Sequence, residues 1–294
     1  MKILLFGTTG QVAHALLPRL QALGDVTALS RTEAEFSQPE NLRTHVRTLQ
    51  PEIIVNAVAY TAVDRAEKEA ELAHTINATA PGVLAQEAAQ CGAWLIHYST
   101  DYVFDGKKTG AYVEDDATGP LNVYGRSKLA GEQAIAATGC NHLILRTSWV
   151  YSAHGQNFLK TIARRALEPP ELRVVDDQFG APTSSTLIAD VTCKILPQLF
   201  ARGPDAGGLY HLTARGQTSW HGYAEAILEA LRQSRPHAHV ATLTAVSGTT
   251  YPTAATRPAN SQLDTSKLRQ HFGIALPDWK TGVLECLSEL GLRK

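Results

Sequence analysis

Residues 1–13 read Met-Lys-Ile-Leu-Leu-Phe-Gly-Thr-Thr-Gly-Gln-Val-Ala. Ile3–Phe6 is a short apolar run stopped by Gly7, the pattern of a parallel strand buried on both faces. Gly7 and Gly10 then make a glycine-rich turn, and Gln11–Leu23 has apolar residues at helical spacing. Strand, glycine turn and helix N-terminus together form a phosphate cradle. Backbone N–H groups and the positive end of the helix dipole face the anion, and glycine lets the backbone come close. The spacing is G-x-x-G-x-x-A. Ala13 stands where only a small residue is needed for helix–strand packing. The plainer alternative is a tight turn with no ligand.

Working outward, the first half alternates strand and helix. Asp25–Leu29, Glu52–Val58, Ala93–Ser99 and His142–Thr147 read as strands. Pro39–Leu49, Asp64–Ala73, Ala78–Cys91 and Asn122–Ala137 read as helices. Apolar strands alternating with helices imply an α/β fold, with a parallel sheet covered on both faces. With a phosphate turn after the first strand, the expected arrangement is the doubly wound, Rossmann-type sheet. After about Val150 the alternation loosens, and Pro169, Pro170, Pro182 and Pro197 punctuate it. The expectation is a dinucleotide-binding domain over 1–150 and mainly a smaller substrate-binding lobe over 151–294. Part of 187–212 is expected to rejoin the sheet.

Composition narrows the function. The 294 residues are 44% hydrophobic and 19% charged, with net charge −1. No basic field is offered to nucleic acid. The leading apolar run is too short for a secretion signal, and no segment is long enough to span a membrane. A cytoplasmic enzyme is expected. Four widely spaced cysteines, Cys91, Cys140, Cys193 and Cys286, read as reduced thiols. His237 and His239 beside Pro236 read as loop rather than metal site.

The chemistry is written in Pro-Leu-Asn-Val-Tyr-Gly-Arg-Ser-Lys-Leu-Ala-Gly-Glu, residues 120–132. Tyr124 and Lys128 are four apart, so on a helix they share a face. Of nine tyrosines only Tyr124 has a lysine at that spacing. An ammonium beside a phenol favours the phenolate, and the pair is expected to act as an acid–base device. The bland reading is a solvated helix with a snorkelling lysine. Upstream, His97-Tyr-Ser-Thr-Asp-Tyr-Val-Phe104 leaves the end of the fourth strand, where ligands bind in open α/β sheets. Thr100 there can hydrogen-bond a substrate carbonyl, or Ser99, Thr100 and Asp101 can be plain turn residues. The second strand ends Leu29-Ser30-Arg31, without the acidic residue that commonly holds the ribose of NAD. Arg31 suits a 2′-phosphate instead, so NADPH is expected over NADH. A solvated Arg31 is the alternative. Glu33 and Glu35 follow closely and stay within reach of the ribose or adenine.

These motifs, in this order, make the chain resemble the extended short-chain dehydrogenase/reductases, specifically their nucleotide-sugar reductases. The resemblance runs from residue 1 to about 290. It also takes in Ile-Ile-Val-Asn-Ala-x-Ala-x-Thr-Ala-Val-Asp at 53–64, Arg-Thr-Ser-Trp-Val-Tyr at 146–151, Asp-Gln-Phe-Gly-Ala-Pro-Thr at 177–183 and Arg-Pro-x-Asn-Ser at 257–261. It implies hydride transfer from NADPH to the C4 carbonyl of a dTDP-sugar, dTDP-4-dehydro-L-rhamnose. Tyr124 would be the proton donor. Lys128 would hold the nicotinamide ribose, and Thr100 the C4 oxygen. By the same resemblance Gly10, Gln11 and Val12 meet the pyrophosphate, and Ser30 and Arg31 the adenosine ribose. Glu35 and Phe36 lie near the adenine. Ala59, Tyr60 and Thr61 line the cofactor, and Tyr98 sits beside its nicotinamide half. Asp101 and Trp149 would touch the sugar, with a core aromatic as Trp149's other role. Arg257 would bind the diphosphate, with a loop-tying arginine as its other role.

One departure bears on assembly. Some members hold Mg²⁺ between subunits through glutamates, at positions that correspond here to Ala15, Thr186 and Glu289. A hard cation needs several oxygen ligands. No metal and no metal-bridged dimer is therefore expected, only a monomer or weak homodimer. Two rival functions share the fold. Epimerases and 4,6-dehydratases are one; the dehydratases typically read Thr-Asp-Glu where this chain has Thr100-Asp101-Tyr102, and both usually keep NAD⁺ bound. A non-catalytic binding subunit is the other.

Overall fold

The strands alternate between two apolar cores because successive side chains point to opposite faces of a sheet. The computed structural model describes residues 1–168, 170–250 and 253–293. Six parallel strands form the central sheet: β1 (Lys2–Phe6), β2 (Asp25–Leu29), β3 (Ile53–Asn56), β4 (Trp94–Thr100), β5 (His142–Thr147) and β6 (Gly208–His211). Their spatial order is β6-β5-β4-β3-β1-β2. The order reverses between β1 and β3, which opens a crevice at their carboxyl ends. This is the doubly wound α/β arrangement read from the sequence.

Ile3, Leu5, Ile53, Val55, Ile96 and Leu145 face one core. It is closed by helices α1 (Gln11–Gln21) and Ser185–Arg202 and by residues 268–276. Leu4, Phe6, Ile54, Leu95 and Ile144 face the other. That side is covered by α2 (Leu42–Leu49), α3 (Ala80–Cys91) and α4 (Val123–Ala136). Each fully buried Leu or Ile contributes roughly 1.5–3 kcal/mol. A third core, including Tyr151, Leu172, Tyr223, Ile227 and Trp279, lies wholly within the chain after Val150. The segments 185–211 and 268–276 pack on the sheet instead, and β6 pairs with β5. The four cysteines are free, with Cys140 and Cys286 buried.

The sequence and structure differ between β3 and α3. The expected helix over Asp64–Ala73 is two short pieces, Val63–Ala66 and Ala70–His74, and a π-turn over Thr75–Thr79 leads into α3. Asn77, inside that turn, explains the widening. Its amide bonds both backbone groups of Tyr60, at 2.8 and 3.1 Å, and Ser127 Oγ at 2.9 Å. Two glycines let α4 approach this closely. A Cβ on Gly125 would lie 2.2 Å from the Tyr102 carbonyl, and one on Gly131 would lie 2.1 Å from that of Asn77.

Candidate active site

Thr100 ends β4 and caps a 3-10 turn over Asp101–Val103. Its hydroxyl donates to Asp101 Oδ1 at 3.0 Å and accepts from the Tyr102 N–H at 3.2 Å. Helix α4 is started by Asn122, whose side chain accepts from the Gly125 N–H. The helix then carries Tyr124 to the end of β4, within hydrogen-bond reach of the Thr100 hydroxyl. The Tyr102 ring meets the Tyr124 ring edge to face, centroids 5.6 Å apart. One turn on, Lys128 is buried, 1% exposed. Its Nζ donates to the Tyr98 carbonyl at 2.6 Å and lies 3.1 Å from His97 Nε2.

The electrostatics correct one expectation. Burial pushes the Tyr124 phenol up to about 12 and brings the Lys128 ammonium down to about 8. In this state Lys128 is turned to the backbone of β4 and does not acidify the phenol. Tyr124 is held protonated, the form a proton donor requires. Asp101 is 3% exposed, and burial raises its carboxyl to about 6. Its Oδ2 has no hydrogen-bond partner among the described residues.

Tyr98 requires a second correction. Strand alternation turns its ring to the opposite face, where its hydroxyl meets Thr192 Oγ1 at 3.0 Å. Tyr98 reaches the site through its carbonyl alone. His97, which the sequence reading passed over, is the side chain of β4 that faces Lys128.

The cofactor-side residues surround a cavity of about 370 Å³ at the switch between β1 and β3. Gly7, Gly10, Arg31, Glu35, Phe36, Ala59, Tyr60 and Thr61 line it. Gly7 has φ +94°, and a Cβ there would lie 2.9 Å from Val58. Helix α1 starts after Gly10, no described side chain caps it, and its first turn holds no acidic residue. Those N–H groups and the dipole end suit an anion. The residues therefore fit a dinucleotide. Gln11 lies at the helix start, where its Oε1 accepts from Asn157 at 2.8 Å and Ser152 at 3.1 Å. Val12 packs on the core below. Ser30 gives its N–H and hydroxyl to Glu33 Oε2, at 2.8 and 2.7 Å. Phe36 is 4% exposed and packs edge-on against Phe6.

A larger cavity, about 880 Å³, is lined by residues after Val150. Phe158, Arg165, Arg173, Gln178, Trp220 and Arg257 are among its lining residues. Arg257 also bonds Asp64 Oδ2 at 2.9 Å and lies beside Tyr102. Trp149 does not line this cavity but backs it, stacked on Trp220 at 3.7 Å. Its φ of 49° is unusual for a bulky residue. Gly180 makes room for it, since a Cβ there would lie 2.7 Å from the indole. Arg165, Arg173 and Trp220 were not foreseen. Arg165 and Arg173 lie eight positions apart and Trp220 is much further on, and no local motif marks them. Among the described residues no three His, Cys, Asp or Glu side chains gather as a metal site. No helix there is long and apolar enough to cross a membrane.

Residues 1–292 match the family described as the RmlD substrate binding domain. The chain is 49% identical to dTDP-4-dehydrorhamnose reductase of Escherichia coli K12, covering 99% of this chain and 98% of that one. This chain belongs to the dTDP-4-dehydrorhamnose reductase family. The Salmonella typhimurium reductase is 46% identical over the same shares. The solved structure of the Clostridium acetobutylicum reductase superposes with a TM-score of 0.91 at 31% identity, covering 99% of this chain and 100% of that one. That of the Bacillus anthracis reductase, in complex with NADP, gives 0.88 at 31% identity over 98% and 99%. A UDP-glucose 4-epimerase from Thermus thermophilus with NAD reaches 0.82 at 17% identity, which shows a shared fold alone.

Proposed function

We propose that this reductase converts dTDP-4-dehydro-L-rhamnose to dTDP-L-rhamnose with NADPH. The observation that carries the reading is the meeting of Thr100 and Tyr124 at the end of β4. The glycine turn lines one cavity, and arginines and a tryptophan line a second, larger one. When bound, NADPH supplies the hydride. The chain's own residues do the rest. Tyr124 donates to the substrate's carbonyl oxygen, and Thr100 joins it once its hydroxyl turns from Asp101 Oδ1, stabilising the charge that develops there. Tyr124 gives that oxygen its proton and regains one from solvent. Lys128, buried one turn away, orients the cofactor's ribose. Arg257, with Arg165 and Arg173 in the same cavity lining, suits a diphosphate, and Trp220 offers a face to a base or sugar. Arg31 at the rim of the smaller cavity favours NADPH over NADH. Asp101 meets the sugar, and Trp149 acts through Trp220.

The test is NADPH oxidation, followed by absorbance, with enzymatically made dTDP-4-dehydro-L-rhamnose. The expected result is turnover in the wild type and its loss in Tyr124→Phe. Faster turnover of a UDP- or GDP-linked keto sugar would overturn the substrate assignment.

A further inference from the structure

His97 is fully buried and lies between two polar side chains. Its Nδ1 is 3.1 Å from Asn56 Nδ2, and its Nε2 is 3.1 Å from Lys128 Nζ. The Val58 backbone N–H fixes the direction of this chain. It donates to Asn56 Oδ1 at 3.0 Å. A backbone N–H can only donate, so the near atom of the Asn56 amide is its oxygen. The NH₂ group then faces His97, which makes Nδ1 an acceptor. A neutral imidazole has one donor and one acceptor, so Nε2 carries the hydrogen. Burial keeps the ring neutral, holding its pKa well below the usual histidine value. An Nε2–H group aimed at Lys128 needs a lone pair there. An amine has one, and an ammonium has none.

We propose that His97, oriented by Asn56, is a positioning residue that holds Lys128 as an uncharged amine in the free enzyme in mildly alkaline solution. Lys128 becomes an ammonium only when the His97 ring moves its proton from Nε2 to Nδ1. Asn56 must then turn its oxygen toward His97, and Val58 loses its acceptor. In the uncharged state Lys128 uses its lone pair on His97 and one hydrogen on the Tyr98 carbonyl. Its second hydrogen stays free for a ligand. The other titratable groups around it are few. Tyr124 and Glu132 lie one turn away on either side along α4. Glu132 favours the charged lysine, but Arg146 of β5 holds it at 2.6 and 2.9 Å. From β3 and the π-turn come only Asn56 and Asn77, which carry no charge. A dinucleotide phosphate brought to this site shifts the balance toward ammonium, so a proton from solvent enters with the cofactor.

This inference rests on the reading of the site as a reductase site, but its first test needs neither cofactor nor substrate. Nitrogen NMR of the full chain, ¹⁵N-labelled at histidine, distinguishes the two ring tautomers. His97 is assigned by the signal lost in His97→Gln. The expected result is an Nε2–H ring near pH 9 that converts to Nδ1–H as the pH falls through about 8, without becoming imidazolium. Lys128→Met should abolish that conversion. Asn56→Asp, whose carboxylate only accepts, should fix the Nδ1–H form at every pH. An Nδ1–H ring throughout in the wild type would overturn the proposal even if both variants fail to fold. Calorimetry of NADPH binding near pH 8.5, in two buffers of different ionisation enthalpy, gives the second readout. Wild type should take up a proton, and Asn56→Asp should lose most of that uptake. Tight NADPH binding without proton uptake in the wild type would also sink the idea, while leaving the reductase assignment standing. Absence of NADPH binding would instead count against that assignment.

Discussion

Asp64 holds Arg257 by two hydrogen bonds, Oδ2 to Nη2 at 2.9 Å and Oδ1 to Nη1 at 3.4 Å. The guanidinium is thereby fixed beside Tyr102 at the edge of the larger cavity. If a diphosphate takes this arginine, Arg257→Ala should raise KM for the dTDP-sugar by about 10–100-fold and change kcat much less. Asp64→Asn keeps the amide's acceptor and should raise KM only a fewfold. Equal KM values in Arg257→Ala and wild type would leave Arg257 as a tie for the 253–260 loop.

The hydroxyl pair is expected to dominate the chemistry. Tyr124→Phe removes the proton donor and should lower kcat by about 10²–10⁴-fold. Thr100→Val removes one donor to the oxyanion and should cost about 10²–10³-fold. NADPH affinity should hold in both. Steady-state kinetics with separate measurement of NADPH binding checks this.

Asp101 makes stability depend on pH. Its carboxyl is raised from 3.8 to about 6 by burial. The folded state therefore binds a proton more tightly than the unfolded one. That contribution is fully present below about pH 4 and is lost as pH rises through about 6. At pH 8 the penalty is about 3 kcal/mol. Asp101→Asn should raise the denaturation midpoint at pH 8 and change it little at pH 4. If Asp101 meets the sugar, the same variant should also raise KM. Urea titrations at the two pH values decide the first point, and kinetics the second.

Arg31 is exposed at the rim of the smaller cavity. Arg31→Ala should lower kcat/KM for NADPH by about tenfold and leave NADH nearly unchanged. An unaltered preference would show that selectivity lies elsewhere, with Ser30 and its partner Glu33 as the next residues to vary.

Positions 15, 186 and 289 are alanine, threonine and glutamate, a poor donor set for a hard cation. Sedimentation should be the same with and without chelator. A dimer that dissociates in chelator would refute this.

The sheet was legible in the sequence, and the Tyr124–Lys128 pair was legible there as an expectation about the chemistry. Both are carried by local patterns: apolar runs cut by glycine, helical periodicity, and an i, i+4 pair. Asp25–Leu29 and His142–Thr147 match their predicted bounds because their flanks break the apolar run sharply. The π-turn at Thr75–Thr79 was not legible, because Asn77 creates it by bonding Tyr60 and Ser127, residues 17 and 50 positions away. The same reason hid His97. Its type is visible in the motif, but only the pleat of β4 turns it to Lys128 while turning the Tyr98 ring away. Tertiary structure also decided the larger cavity, where Arg165, Arg173, Trp220 and Arg257 converge from separate elements. It decided the protonation of the central pair as well. Spacing placed an ammonium near a phenol, but burial, a property of the packed molecule, set both pKa values.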